Sequence, residues 1–543
     1  MKFNVKPKGW NAAIAILSVA AVICVVLCVL TFTTDLFTPQ PDWADLVLYE
    51  GPKPVPASTV AAMKVDGNEL FVYDTAVNNT HSWANNYKPS LSKAPVTSFD
   101  FEGAPVTMEI TVTDQTELGD VVVRPLAKGI VPTVAGNVIS FSIAEPDVYT
   151  VEWGGSAMNA MHIFANAIDH DAPTESTDTV KYIGPGAWSI DTMVLTDGMD
   201  VYISGGAIIQ GTILGNKVTG AKISGHGIID GSHNDSWMLA GRTAYVPLSL
   251  SNCKDIAISG IALLDPNAWC INIYDCDHVT VDGVKIITAR PNGDGITIQS
   301  SRDITVSDSF VRSWDDSLVV KNYSTNKGTD SADICFDNCQ VWTDLAQSME
   351  VGYETNKGGK LNPTIRNVTF RNITVLHNFH KPVMSIHNAD DAAVSAIRYE
   401  NIIVEDASMG KGDAGENAQL IDITIASSSW SSSKKRGTVD DVTFDGIYVL
   451  GGDDTIDFIE GNFCPINIRG YDDEHKCTNI TVNNLFIWDE GVTDENVTDN
   501  PSTSIDKFTD NIHFAVDKAL PETVAALLRS ENRKGWHIHE QKR

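Results

Sequence analysis

The sequence predicts an all-β chain: a right-handed parallel β-helix preceded by a small β-sandwich domain, behind an N-terminal transmembrane helix. Three observations carry this. The second half repeats a short unit of strand, Asp/Asn/Gly/Ser turn and strand; helical periodicity is almost absent; and the one long apolar run lies near the N-terminus. Of 543 residues, 43% are apolar and 20% charged, ordinary globular usage that excludes disordered, collagen-like and coiled-coil chains. The formal charge is −31, from 39 Lys and Arg against 70 Asp and Glu. Such a balance excludes a sequence-independent nucleic-acid binder, which needs cations to displace phosphate counterions. It disfavours a polyanionic substrate unless a local basic cleft exists.

Residues 1–11 contain Lys2, Lys6 and Lys8, and Ala12–Phe32 contains no charge. An uncharged run of this length covers the roughly 20 residues a helix needs to span a bilayer, and the flanking lysines leave the short N-terminus in the cytoplasm. A cleaved signal peptide is the alternative, but its apolar core is shorter and ends in small residues, whereas Phe32-Thr33-Thr34-Asp35 follows here. The expectation is a single-pass signal anchor at residues 12–32 with the remainder outside the cell, or a secreted protein if the segment is removed. Residues 33–58, with Pro39, Pro41, Pro52, Pro54 and Pro56, read as a semi-rigid spacer.

Residues 59–175 carry several short strand-like runs. In one, Val106, Met108, Ile110 and Val112 alternate with Thr107, Glu109 and Thr111, the pattern of a strand buried on one face. Gly, Pro and Asp turns between such runs suggest a sandwich. Residues 176–490 hold the repeat, with anchors at Ile256, Val279, Ile304, Ile334 and Val368, a period that signals a solenoid. Short strands without helices stack as parallel rungs about 4.8 Å apart. In residues 491–543, Pro521-Glu522 opens one short helix that caps or packs beside the end of the solenoid. Nine cysteines, two in the apolar run, make neither a disulfide framework nor a zinc pattern; they read as small buried hydrophobes.

The chemistry is expected in residues 290–320. Asp294 sits in a Gly-flanked turn, and Asp315-Asp316 falls about one coil later. The three carboxylates would therefore share a face one rung apart. Carboxylates this close cannot all ionise freely, so one holds a proton while its neighbours stay anionic, the division of labour that glycosidic-bond cleavage requires. The plainer reading is that Gly-Asp-Gly makes an ordinary turn, and Asp390-Asp391, Asp440-Asp441, Asp453-Asp454 and Asp472-Asp473 show that Asp pairs are common in this chain. Register with Asp294, and the adjacent Trp314, separate the 315–316 pair from the others.

At these residues the chain resembles the clan of β-helical glycoside hydrolases that holds family 28, the polygalacturonases, and family 49, dextranase and isopullulanase. Asp294-Gly295 and Asp315-Asp316 match the clan's hallmark, and Tyr202–Ala207 leading to Ser224–Gly231 resembles its first coils. Val121–Pro125 and Asn159–Ala165 look like the sandwich module of family 49. The resemblance implies an inverting O-glycosyl hydrolase needing no cofactor or metal. Carried over, Asp315 is the general acid, and Asp294 and Asp316 hold and deprotonate the attacking water. Trp269, Trp314, Lys321, Gln347, Tyr353 and His387 are the expected substrate-binding residues, with Tyr323 and Trp342 also near the cleft. Each aromatic taken alone is more often core or turn packing than a sugar platform.

Two departures bear on the substrate. Polygalacturonases place Gly-His-Gly one coil after the Asp pair, where this chain reads Ala346–Gly352. Their Arg-x-Lys, which grips a uronate carboxylate, is replaced by Val383–His387. The expectation is thus a family-49-like enzyme acting as a monomer on a neutral α-glucan such as dextran. A pectin hydrolase, a polysaccharide lyase using Lys321 or Arg312 as base, and a non-catalytic glycan-binding β-helix are the alternatives.

Overall fold

A computed structural model describes residues 44–80, 90–239, 241–323, 330–357, 364–406, 419–451 and 464–530. The expected transmembrane helix, residues 12–32, lies outside them. Among the described residues no helix is long and apolar enough to cross a membrane.

Two antiparallel-rich sheets, of six and five strands, form the sandwich. Val106–Val112 takes its place in the five-stranded sheet with Val106, Met108, Ile110 and Val112 buried, since alternate side chains of a strand point to opposite faces. Part of the stretch expected to be spacer belongs here: Ala44–Leu48 pairs antiparallel with the segment from Phe99 to Gly103. Alternating Leu46 and Leu48, packed partly on the sandwich core, explain why this short strand docks despite the prolines that follow it.

The remaining strands, from Val180–Ile183 to Thr509–Ala515, form one continuous sheet system wound as a parallel β-helix. Through its centre each strand pairs with the third one after it, three strands to a coil. Ile256, Val279, Ile304, Ile334 and Val368 stand in direct register, and the column continues through Ile397, Val442, Ile480 and Ile512. Beside it Phe336, Phe370, Tyr399 and Phe444 stack at 4.9, 5.0 and 4.7 Å with nearly parallel ring planes. Rung spacing sets this distance, and each buried aliphatic side chain contributes roughly 1.5–3 kcal/mol.

The bends need left-handed residues, which Asn and Asp supply at lower cost than other side-chain-bearing types. One bend column runs through Asp303, Asp333 and Asn367 at φ 55°, 58° and 55°, and another through Asp308, Asn338 and Asn372 at 50°, 53° and 55°. Side-chain amides tie successive rungs, as where Asn372 Nδ2 donates to Asp337 Oδ1 (2.8 Å).

The solenoid runs past its expected end at residue 490. Thr509–Ala515 pairs parallel with the segment from Cys477 to Asn483, placing Ile512 under Ile480. The intervening residues 490–503 hold only a two-residue strand and a short 3-10 turn, which hides the period. Glu522–Arg529 is a helix, begun after Pro521, that buries Val524 against Tyr448, Leu450 and Phe486. The seven described cysteines are unpaired; all but Cys335 are buried.

The sandwich packs on one flank of the solenoid. Val96, Val148 and Phe164 meet Ile287, Phe310 and Leu376 in a shared apolar layer. Buried charges cross the same junction: Arg124 contacts Glu152 (3.0 Å) and Glu405 (2.7 Å), and His377 lies between Glu152 (2.7 Å) and Asp406 (2.6 Å).

Candidate active site

Asp294 is delivered by a tight turn. Asn292 adopts φ 56°, Gly293 N–H donates to Arg290 O (2.8 Å), and Arg290 is clamped through Nε and Nη2 on Asp265, both at 2.8 Å. Gly295 follows because its neighbour leaves no room: a Cβ there would stand 2.6 Å from Ser317 O. Asp315 and Asp316 occupy the equivalent turn of the next coil. Ile296 pairs with Leu318, so Asp294 and Asp316 share one register position. Beneath them a chain of hydroxyls links the coils, from Ser313 to Ser317 (2.6 Å), Thr343 (2.7 Å) and Ser348 (2.8 Å).

The three carboxylates line a cleft of about 670 Å³ together with Trp269, Lys321 and Gln347. Lys321 organises them. Its ammonium lies 3.2 Å from Asp294 Oδ2, 3.8 Å from Asp316 Oδ2 and 3.4 Å from Glu354 Oε2. The Asp294 and Asp316 oxygens are thus no farther apart than the sum of their two contacts. Burial opposes the charge on Lys321, yet Asp294, Glu354 and Asp316 hold its pKa well above the ordinary lysine range. Asp315 has no such cation contact among the described residues. Burial first, and the Asp294 charge second, raise its pKa to about 7, with Lys321 opposing. Burial also raises Asp294, against the pull of Lys321. Asp316 is pushed well above the ordinary carboxylate range by burial and by Asp315, with Lys321 opposing, so the adjacent pair cannot both lose their protons readily. Asp316 Oδ1 accepts the Gln347 N–H (3.3 Å), and Asp315 Oδ1 accepts the Asp316 N–H (3.0 Å).

Other expected residues divide. Trp269 sits with its ring 5.4 Å from the Lys321 ammonium, and Tyr353 and Tyr323 also line the cleft. Trp314 does not. Its indole turns to the opposite side of the coil, where Nε1–H donates to Thr80 O (3.2 Å) and the ring is 1% exposed. The strand before it, Phe310–Ser313, faces the sandwich, and Trp314 stays on that side. Trp342 is likewise fully buried at the junction, under Arg312 at 4.1 Å. His387 stands behind the cleft wall rather than on it. Its ring stacks on Tyr353 (4.2 Å, 3°), Nδ1 meets Glu350 (2.9 Å) and Nε2 meets Asp422 (3.1 Å). Burial opposes its charge, but those two carboxylates raise its pKa to about 10, so it is an imidazolium that props Tyr353.

The cleft also contains Trp237, Glu354, Lys357, Lys381 and Trp430, which sequence reasoning did not single out. Glu354 carries a signal in being the neighbour of Tyr353, and it closes the charge set around Lys321. Trp237 and Trp430 arrive from segments outside the regular strands, with no periodicity to mark them.

The chain shares 26% identity over 400 residues with a probable endopolygalacturonase D of Aspergillus flavus, covering 68% of this chain and 75% of that protein. With a probable polygalacturonase of Arabidopsis thaliana it shares 28% over 116 residues, 21% of this chain and 25% of that one. The chain therefore spans only a quarter of the plant relative's length. A family 28 exopolygalacturonase from Yersinia enterocolitica superposes over 89% of this chain and 95% of its own at 11% identity and a TM-score of 0.45. Residues 196–485 match the glycosyl hydrolases family 28, and nothing in that match favours family 49. Spanning more than half of the chain and containing the three aspartates, the match makes this protein a member of glycosyl hydrolase family 28.

Proposed function

We propose that the cleft hydrolyses glycosidic bonds in a galacturonic-acid polysaccharide by an inverting mechanism. The observation that carries this reading is the position of Lys321, which contacts Asp294 and Asp316 but not Asp315. An ammonium favours the ionised form of the carboxylates it touches. Asp315, which lacks that contact and is raised to about 7, donates a proton to the glycosidic oxygen. Asp294 and Asp316 then hold a water and accept its proton, the second role that inversion requires. Trp269 and Tyr353 offer flat apolar faces to sugar rings. The solenoid would be the catalytic unit, with the sandwich as its support, both placed outside the membrane by the apolar run at residues 12–32.

The expected neutral α-glucan receives no support from the polygalacturonase relatives, and a cleft lined by Lys321, Lys357 and Lys381 suits an acidic polymer at least as well. The lyase alternative loses both of its bases. Arg312 is buried at the domain junction on Asp344 (3.2 Å), and Lys321 is held protonated by its carboxylates. The test is to incubate the full-length protein with polygalacturonate, rhamnogalacturonan, dextran and pullulan, following new reducing ends and ultraviolet absorbance. Reducing ends from polygalacturonate without absorbance are expected. Cleavage of dextran alone, or products that absorb as unsaturated sugars do, would contradict the reading.

A further inference from the structure

The cleft does not end at the carboxylates. Ile296, Leu318, Met349, Met384 and Ile421 pair in turn from coil to coil. Asp316 precedes the strand that begins at Leu318, and Trp430 follows the strand that begins at Ile421. Three rungs of about 4.8 Å separate those two coils, roughly 14 Å along the solenoid axis. Trp430 lines the cleft at that distance, beyond the sugars that flank the bond to be cut. In the other direction Ile271 pairs with Ile296, so Trp269 lies one coil before Asp294. The carboxylates thus stand inside the cleft, with an aromatic ring to either side.

Trp430 is 51% exposed, the one large apolar side chain among the described cleft residues that is left so open. Its backbone is nonetheless fixed. Trp430 N–H donates to Ser428 Oγ (3.1 Å), Ser428 N–H to Ser431 Oγ (3.0 Å), and Ser431 Oγ–H to Ala389 O (2.6 Å). Asp390, buried on the preceding coil, accepts the N–H groups of Ser432 (2.7 Å) and Ser433 (2.6 Å) on one oxygen. Arg436, also buried, closes the turn on Ala426 O (3.4 Å) and Ser433 O. These bonds hold an apolar ring toward water, where it gains nothing until a second apolar surface covers it. A galacto-configured sugar supplies such a surface, because its axial O4 leaves the hydrogens of C3, C4 and C5 together on the opposite face. We infer that Trp430 is a distal sugar platform, stacking on a galacturonate ring remote from the scissile bond and giving the enzyme a preference for long chains. This rests on the galacturonan reading above.

The experiment compares kcat and KM on polygalacturonate and on trigalacturonate for the wild-type protein, Trp430→Ala and Trp430→Tyr. When a bond of the trimer is cut, at most two of its sugars lie on the Trp430 side, too few to cover the gap. Loss of the aromatic face is expected to raise KM on polygalacturonate about tenfold, with kcat less affected. The advantage of polymer over trimer, as a ratio of kcat/KM, should shrink by the same factor, and Trp430→Tyr should restore most of it. If the wild type cleaves polygalacturonate while Trp430→Ala keeps its KM on the polymer, or loses as much on the trimer, the inference is overturned and the substrate reading stands. If the wild type does not cleave polygalacturonate, the substrate reading fails and takes the inference with it. Circular dichroism of the Ala and Tyr variants separates misfolding from loss of recognition.

Discussion

At the level of single residues, the proposed mechanism turns on one proton. Asp315 must be protonated to act as acid, so activity should be present below its pKa of about 7 and fall as pH rises through that value. Removing the cation should raise the pKa of all three carboxylates, since Lys321 lowers each. A pH profile of kcat/KM for Lys321→Met is therefore expected to move its alkaline limb upward while the maximum drops. A limb that stays in place would show that Lys321 does not set the acid. The meeting of Asp294 with Asp315 and Asp316 was legible in the sequence because residues 294 and 316 lie one coil apart and a coil repeats position; Lys321 was legible only as a cation five residues after the pair. Trp314 was misplaced because the direction of a side chain inside a short turn depends on the turn's own dihedrals, which spacing does not encode. His387 was expected to touch substrate but is paired with Glu350 and Asp422, partners from two other coils. Lys381 was missed because the coils between it and Asp315 differ in length, 31 residues from Leu318 to Met349 and 35 from Met349 to Met384.

Within an element, the solenoid depends on columns as much as on rungs. Inward anchors were legible from alternation, since Ile256 through Val368 repeat at fixed offsets in the strand pattern. The bends were legible only as a composition of Asn, Asp and Gly; their left-handed backbone gives that composition its reason. Asn372, at φ 55° and bonded to Asp337, offers a test. Asn372→Val places a β-branched residue in this region and should cost about 1–3 kcal/mol, while Asn372→Gly should cost less. Urea unfolding of both variants measures the difference. Equal losses would mean that the amide bond, not the backbone, matters at the bend.

The molecule as a whole is held by the junction of sandwich and solenoid. Arg124 is 1% exposed between Glu152 and Glu405. Removing one partner of a buried pair leaves uncompensated charge, so Arg124→Met should destabilise by about 3–5 kcal/mol. Arg398→Met, which breaks an exposed contact with Asp441 (2.8 Å), should cost under about 1 kcal/mol. Thermal unfolding of the two variants side by side checks this, and similar losses would deny the junction its role. The two-part architecture was legible from the change in texture near residue 176, but its limits were not. Proline density disguised Ala44–Leu48 as spacer, and the irregular stretch after residue 490 disguised the last coil.

The proposed mechanism stands on Asp315 as the source of the proton that breaks the glycosidic bond. Asp315→Asn keeps the shape of the side chain and removes the acid, so turnover and binding can be measured together on polygalacturonate. Reducing-end release is expected to fall by at least about 10²-fold while binding affinity stays close to that of the unaltered protein. Release at the original rate by Asp315→Asn would contradict it.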